Sequence, residues 1–301
     1  MLKRLLCLAC LLQLSSALFG QSCIPPTRFE ERVKAPIRDV IFTNDASLPS
    51  DAEDAIAQHL HHQTVQSGSL DKQLSSAADE AAERTRAAYQ NIGYFKVQVD
   101  GTALSVGLDS SQYDIMIQIR SSGQQYRLGD LNFVHGTSFP TQQLRDLFPL
   151  RPGEIFSREK IARGLEELRR LYSSEGFINF VPVPDTAFDD DIGIATLAIH
   201  IDEGKQFRLR HVDVIGVDPG MKARVLAEFA LKPGDVYTSE AWERIAKKLP
   251  DLVQKSNHDV LDKQLDEANG LVDVVLDFRP LPICNTESYS GPEKLESSSN
   301  F

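Results

Sequence analysis

Leu150-Arg151-Pro152-Gly153-Glu154-Ile155-Phe156-Ser157 is followed 81 residues later by Leu231-Lys232-Pro233-Gly234-Asp235-Val236-Tyr237-Thr238. The two stretches agree position by position: leucine, base, Pro-Gly, acid, β-branched residue, aromatic ring, hydroxyl. Upstream, Gln125-Tyr126-Arg127-Leu128 recurs at the same offset as Gln206-Phe207-Arg208-Leu209. One offset shared by two separate stretches marks a duplicated unit of about 80 residues, and tandem units of that size make an array of small domains.

The unit beginning at Gln125 reads strand, helix, helix, strand, strand. Leu131 to Val134 alternates as a half-buried strand does and ends at Gly136. Pro140 suits a first helical turn, and Leu144, Leu147 and Phe148 fall at helical spacing. Pro149 and Pro152-Gly153 stop that helix, and Ser157 is a good N-cap for the next. Ile161, Leu165, Leu168 and Tyr172 then form one apolar stripe up to Gly176. Strands are expected from Phe177 to Pro184 and from Ile194 to Ile201, with Asp189 to Gly193 as the turn between them. Two helices covering one face of a three-stranded sheet make a two-layer core for a unit of this length.

The third unit repeats the order from Val212 to Ile215 onward, with helices from about Met221 to Leu231 and from Ser239, and a closing strand from Leu271 to Phe278. Pro250 falls inside its second helix and should kink or end it. Val253 and Asn257 stand where the second unit has Tyr172 and Gly176, so its middle strand should be rebuilt. The first unit is more diverged. It has a strand from Arg38 to Thr43, a helix after Pro49-Ser50, a long helix from Asp71 to Asn91, a strand begun by Val97 and Val99, and one from Tyr113 to Ile119.

The run Leu150-x-Pro-Gly-x-Ile-Phe-Ser157, the helix ending Leu171-Tyr172-x-x-x-Gly176-Phe177 and the closing hairpin resemble a POTRA domain, the polypeptide-transport-associated module that precedes outer-membrane barrels of the barrel-assembly family. The resemblance implies an α+β fold of three tandem β-α-α-β-β domains, each a three-stranded sheet covered by two helices. The expected boundaries are residues 36–124, 125–205 and 206–280, with a signal peptide over residues 1–20 and a disordered tail over residues 281–301. No alternating barrel strands follow Phe278; the last residues are rich in Ser, Pro, Glu and Asn.

The first residues read as a targeting segment. Lys3 and Arg4 precede the short apolar run Leu5 to Leu14, with small residues at Ser15, Ser16 and Ala17. That run is shorter than the ~20 residues a spanning helix needs. Cys23 lies near the junction, but Gly20-Gln21-Ser22 matches a lipoprotein signal poorly. Cys7 and Cys10 would leave with the signal, so Cys23 and Cys284 remain, and pairing them would require the array to bend. The net charge of −11 disfavours nucleic acid and anionic lipid as partners.

No constellation points to catalysis: G-x-S-x-G, H-E-x-x-H and a phosphate-cradling glycine loop are all missing. His59, His61 and His62 read as a solvated helix face, and Asp189 to Asp191 as a polar turn, so no metal and no cofactor is expected. Binding is the better reading. An open sheet edge accepts an added strand, and the resemblance implies that the first strand of the closing hairpin serves. Pro182 and Pro184 share parity and should face outward, capping that edge in the second unit. This leaves Phe95, Lys96, Val97, Gln98 and Val99 as the partner-binding edge strand. Tyr126 and Phe207, at the domain junctions, either pack between domains or fill their own cores.

The expected function is therefore non-enzymatic: a periplasmic array, associated with the outer membrane, that assists outer-membrane protein assembly or polypeptide transport. Its partners would be an outer-membrane barrel protein or assembly complex and unfolded outer-membrane polypeptides, with no nucleic acid and no small-molecule substrate. A scaffold linking folded cell-envelope proteins is the alternative.

Overall fold

A computed structural model describes residues 32–34, 36–44, 48–66, 70–107, 112–136, 138–256 and 258–280. The targeting segment, all four cysteines and the tail fall outside the described residues.

Three separate three-stranded sheets follow one another along the chain. The first domain carries β2 (Ile37–Thr43), α1 (Ser50–His61), α2 (Leu70–Asn91), β4 (Gln98–Val106) and β5 (Gln112–Ser121). A small pairing of β1 (Arg32–Lys34) with β3 (Thr64–Gln66), not foreseen in the sequence, is added to it. The second domain has β6 (Arg127–Val134), α3 (Thr141–Asp146), α4 (Arg158–Ser174), β7 (Val181–Asp189) and β8 (Ile194–Asp202). The third has β9 (Arg208–Ile215), α5 (Pro219–Phe229), α6 (Glu240–Lys248), α7 (Pro250–Lys255), β10 (Leu261–Asp266) and β11 (Leu271–Asp277).

Each sheet has the same topology. The last strand lies in the middle, parallel to the first and antiparallel to the one before it: β2-β5-β4, β6-β8-β7 and β9-β11-β10. The cores are separate too. Ile56, Leu74, Tyr89, Ile115 and Ile117 fill the first, Leu144, Phe148, Leu168, Tyr172 and Leu197 the second, and Val225, Phe229, Ile245, Val272 and Val274 the third. Burying one sheet face beneath helices gives each unit its own hydrophobic driving force.

Local signals hold where they concern capping and helix breaking. The Ser157 hydroxyl accepts the Lys160 N–H and starts α4. Pro250 divides the second helix of the third domain into α6 and α7, since a proline there removes a helical hydrogen bond. The rebuilt middle strand of that domain, β10, keeps six residues.

Two strand starts require correction. Residues 94–97 and 177–180 precede β4 and β7 and form turns, although their aromatic and β-branched composition reads as strand. These strands begin at Gln98 and Val181; β4 reaches Val106, and β7 runs past the expected end at Pro184 to Asp189.

Candidate functional site

The repeated sequence stretches meet in space at the joints between domains. Each joint starts where a long helix ends in a left-handed glycine, Gly93 (φ 95°) after α2 and Gly176 (φ 84°) after α4. The carbonyl of Gly93 accepts the Tyr126 N–H at 2.9 Å, and the carbonyl of Gly176 accepts the Phe207 N–H at 2.9 Å. The side-chain amide of Gln125 donates to the Ile92 carbonyl and that of Gln206 to the Glu175 carbonyl, both at 2.8 Å. These are helix-terminal carbonyls that lack a partner within the helix, so each glutamine caps the preceding domain.

The Pro-Gly stretch closes the joint from the other side. Phe156 donates its N–H to the Tyr126 carbonyl, and Tyr237 donates to the Phe207 carbonyl, each at 2.9 Å. The Gly153 N–H reaches the Leu128 carbonyl and the Gly234 N–H the Leu209 carbonyl, each at 2.7 Å. Arg127 and Arg208 each donate a guanidinium hydrogen back to those same glycines' carbonyls at 2.9 Å. A Cβ on Gly93 would lie 2.9 Å from the Tyr126 oxygen, and one on Gly176 would lie 2.5 Å from Val236 Cγ1. Only glycine combines this backbone conformation with so close an approach.

Tyr126 and Phe207 therefore join the domains through their backbones, while their buried rings belong to the second and third cores. Among the side chains that cross the first joint are Phe95 and Lys96. The Phe95 ring packs on Phe156 at 4.7 Å and Phe188 at 5.8 Å, in the second domain. The Lys96 ammonium donates to both oxygens of Asp190, at 2.6 and 2.7 Å, and lies 5.7 Å from the Tyr126 ring centroid. The Tyr126 hydroxyl donates to the same carboxylate at 2.6 Å. These bonds, that from Lys96 first, hold the Asp190 carboxyl below its usual range. At the second joint, Asn179 and Glu267 make a weaker counterpart, a 3.0 Å bond without a cation.

Of the residues expected to form a docking edge, Phe95, Lys96 and Val97 therefore lie before the strand, with Phe95 and Lys96 engaged at the joint and Val97 buried in the first core. Gln98 and Val99 are on β4, which is an edge strand. The edge strands of the three hairpins differ. β4 has nine residues and no proline, and Leu104 on it is exposed. β7 carries Pro182 and Pro184 yet pairs with β8 without a shift in register. An unbroken ladder there needs the intervening N–H groups to face β8, so the prolines turn toward the free edge and leave it short of donors. β10 is short and its residues are mostly charged or polar.

Of the histidines, half-buried His59 on α1 bonds the Glu80 carboxylate of α2 at 2.9 Å, and His62, at the C-cap of α1, bonds a backbone carbonyl at 2.7 Å. Among the described residues no group of acids, histidines or cysteines is arranged to hold a metal. Burial pushes the Tyr237 hydroxyl up to about 12, and Tyr172 is raised further by burial and its bond to Glu203. Both are core tyrosines.

Residues 126–204 match the POTRA family model, described as a surface antigen variable number repeat. A Treponema pallidum (strain Nichols) protein named "Putative outer membrane protein assembly factor" is 23% identical over 219 residues, 72% of this chain and 26% of that protein. Outer membrane protein assembly factor BamA of Buchnera aphidicola is 28% identical over 129 residues, 42% of this chain and 21% of its own length. The match thus spans about a quarter of either relative. Among solved structures, the Haemophilus influenzae BamA fragment POTRA3-5 superposes with a TM-score of 0.64 at 16% identity, covering 83% of this chain and 98% of that one. The chain is an array of three domains of the POTRA fold, the middle one matching the family model, and it resembles the corresponding part of BamA.

Proposed function

We propose that this chain is a non-enzymatic periplasmic array that assists outer-membrane protein assembly or polypeptide transport, through strand addition and contacts on its domain surfaces. Its partners are an outer-membrane barrel protein or assembly complex and unfolded outer-membrane polypeptides. The names of the relatives support the general role, and the basic and apolar targeting segment supports export.

The observation that carries the docking mode is the difference between hairpin edges. β4 offers nine proline-free residues, whereas β7 is capped and β10 is short. Added strands gain affinity from main-chain hydrogen bonds, so a continuous row of free donors and acceptors is the requirement. The ladder with β5 shifts register between Gln98 and Val99, and the Val99 carbonyl already accepts from Arg86, so the usable edge runs from Asp100 through Val106.

A photo-crosslinking residue at Thr102 or Leu104 should capture unfolded outer-membrane polypeptides, and the same residue at Val183 should not. Equal capture at both edges, or none at β4, overturns the assignment. The alternative, a scaffold, draws on the short hydrogen-bonded joints. It predicts that only folded envelope proteins are captured.

A further inference from the structure

The two joints share their backbone bonds but not the packing between their helices. At the first, the end of α2 touches the start of α4: Arg158 donates to the Gln90 side chain at 3.1 Å, and the Glu159 N–H donates to Asn91 Oδ1 at 2.9 Å. At the second, the hydrogen bond found among the described residues between the end of α4 and the start of α6 joins the hydroxyls of Ser173 and Ser239, at 3.4 Å. A cleft of about 570 Å³ opens beside that contact, with Phe177, Ile178 and Phe180 among its lining residues. Ile178 takes the place that Phe95 has at the first joint, two residues beyond the glycine, and packs against the third core as an aliphatic chain where Phe95 enters an aromatic cluster.

Two arginines and one carboxylate, Glu166, stand on the α4 wall of the cleft, and two carboxylates on the α6 wall. Among the described residues, Arg169 and Arg170 on α4 pair with exposed carboxylates of their own helix, Glu166 and Glu167. Glu240 and Glu243 begin α6. Among the described residues no ion pair crosses the cleft.

We propose that the second joint is a hinge, and that bending there closes the cleft by pairing Arg169 and Arg170 with Glu240 and Glu243. The backbone bonds at Gly176 and Phe207 form the pivot, and the first joint stays fixed. Closure would cover the half-buried rings of Phe177 and Phe180. The attraction acts between solvent-exposed charges and therefore falls with ionic strength.

Spin labels on the full chain test this, after replacing its four cysteines by serine. One pair, Arg163→Cys with Lys247→Cys, spans the second joint; the other, Glu83→Cys with Arg163→Cys, spans the first. At about 20 mM salt the second pair should show a short-distance population that vanishes near 1 M, where the screening length is about 3 Å. The first pair should not move. Reversing Arg169 and Arg170 to Glu should abolish the short population, and adding Glu240→Arg with Glu243→Arg should restore it. A second joint insensitive to salt and to charge reversal, or a first joint that shifts equally, overturns the hinge.

Discussion

The first and second joints place one domain after another by the same route. A helix ends in a left-handed glycine, the next domain's aromatic residue donates its N–H to that glycine, and a glutamine caps the helix end. They differ in what crosses beside this frame. Phe95 enters an aromatic cluster and Lys96 bonds a carboxylate at the first, while Ile178 and Asn179 stand in their places at the second. Backbone geometry, duplicated with the unit, sets where a domain sits. Side chains set what packs beside that frame.

Breaking the shared frame should have the largest effect. A β-branched residue at Gly93 or Gly176 must adopt a left-handed backbone and meet atoms within 3 Å, so Gly93→Val and Gly176→Val should each cost about 2–3 kcal/mol or more in urea unfolding. Comparable costs at both sites support one construction, and free tolerance at either breaks it. The plug comes next. Phe95→Ala should lose about 2–3 kcal/mol and Ile178→Ala about 1–2, because a half-buried ring carries more contact area than a half-buried aliphatic chain. Limited proteolysis at residues 122–125 should then rise more in the first variant than cleavage at residues 203–205 in the second.

Gln125→Ala and Gln206→Ala should cost about 1 kcal/mol each, the net worth of one hydrogen bond, and should sharpen the comparison by being alike. The smallest effect is that of acid. Asp190 has a folded pKa below its ordinary value, so its contribution is present in full above the unfolded value near 3.9 and is lost as pH falls through the lower folded value. The first joint should loosen below about pH 4, seen as faster proteolysis at residues 122–125. The second joint, whose Glu267 accepts from the neutral amide of Asn179, should change less.

Helices and closing strands were legible because their signals are local. The Ser157 cap, the stripe from Ile161 to Tyr172 and the break at Pro250 each act within a turn or two of their own position. Residues 94–97 and 177–180 misread as strand for a physical reason. A run of aromatic and β-branched residues signals burial beside a sheet, and here part of the burying partner lies in the next domain. The edge expected to dock partners shifted with them: Phe95 and Lys96 lie at the joint, and the strand begins at Gln98. That Gln125 and Gln206 recur could have flagged them as caps, since a repeated polar residue at a unit boundary asks for a hydrogen-bond partner. What they cap was not readable, because the helix ends lie more than 30 residues back.

The amino-acid order alone determined that there are three units, where their helices start and stop, and that β7 is a poor edge, because repeats, caps and prolines act through covalent geometry and neighbouring residues. Tertiary structure decided that the repeated words form the joints, that Phe95 belongs to its neighbour's core, and that helices touch beside one joint while a cleft opens beside the other. Those outcomes depend on which distant groups come within bonding distance, and that distance exists only once the separate sheets have folded and docked.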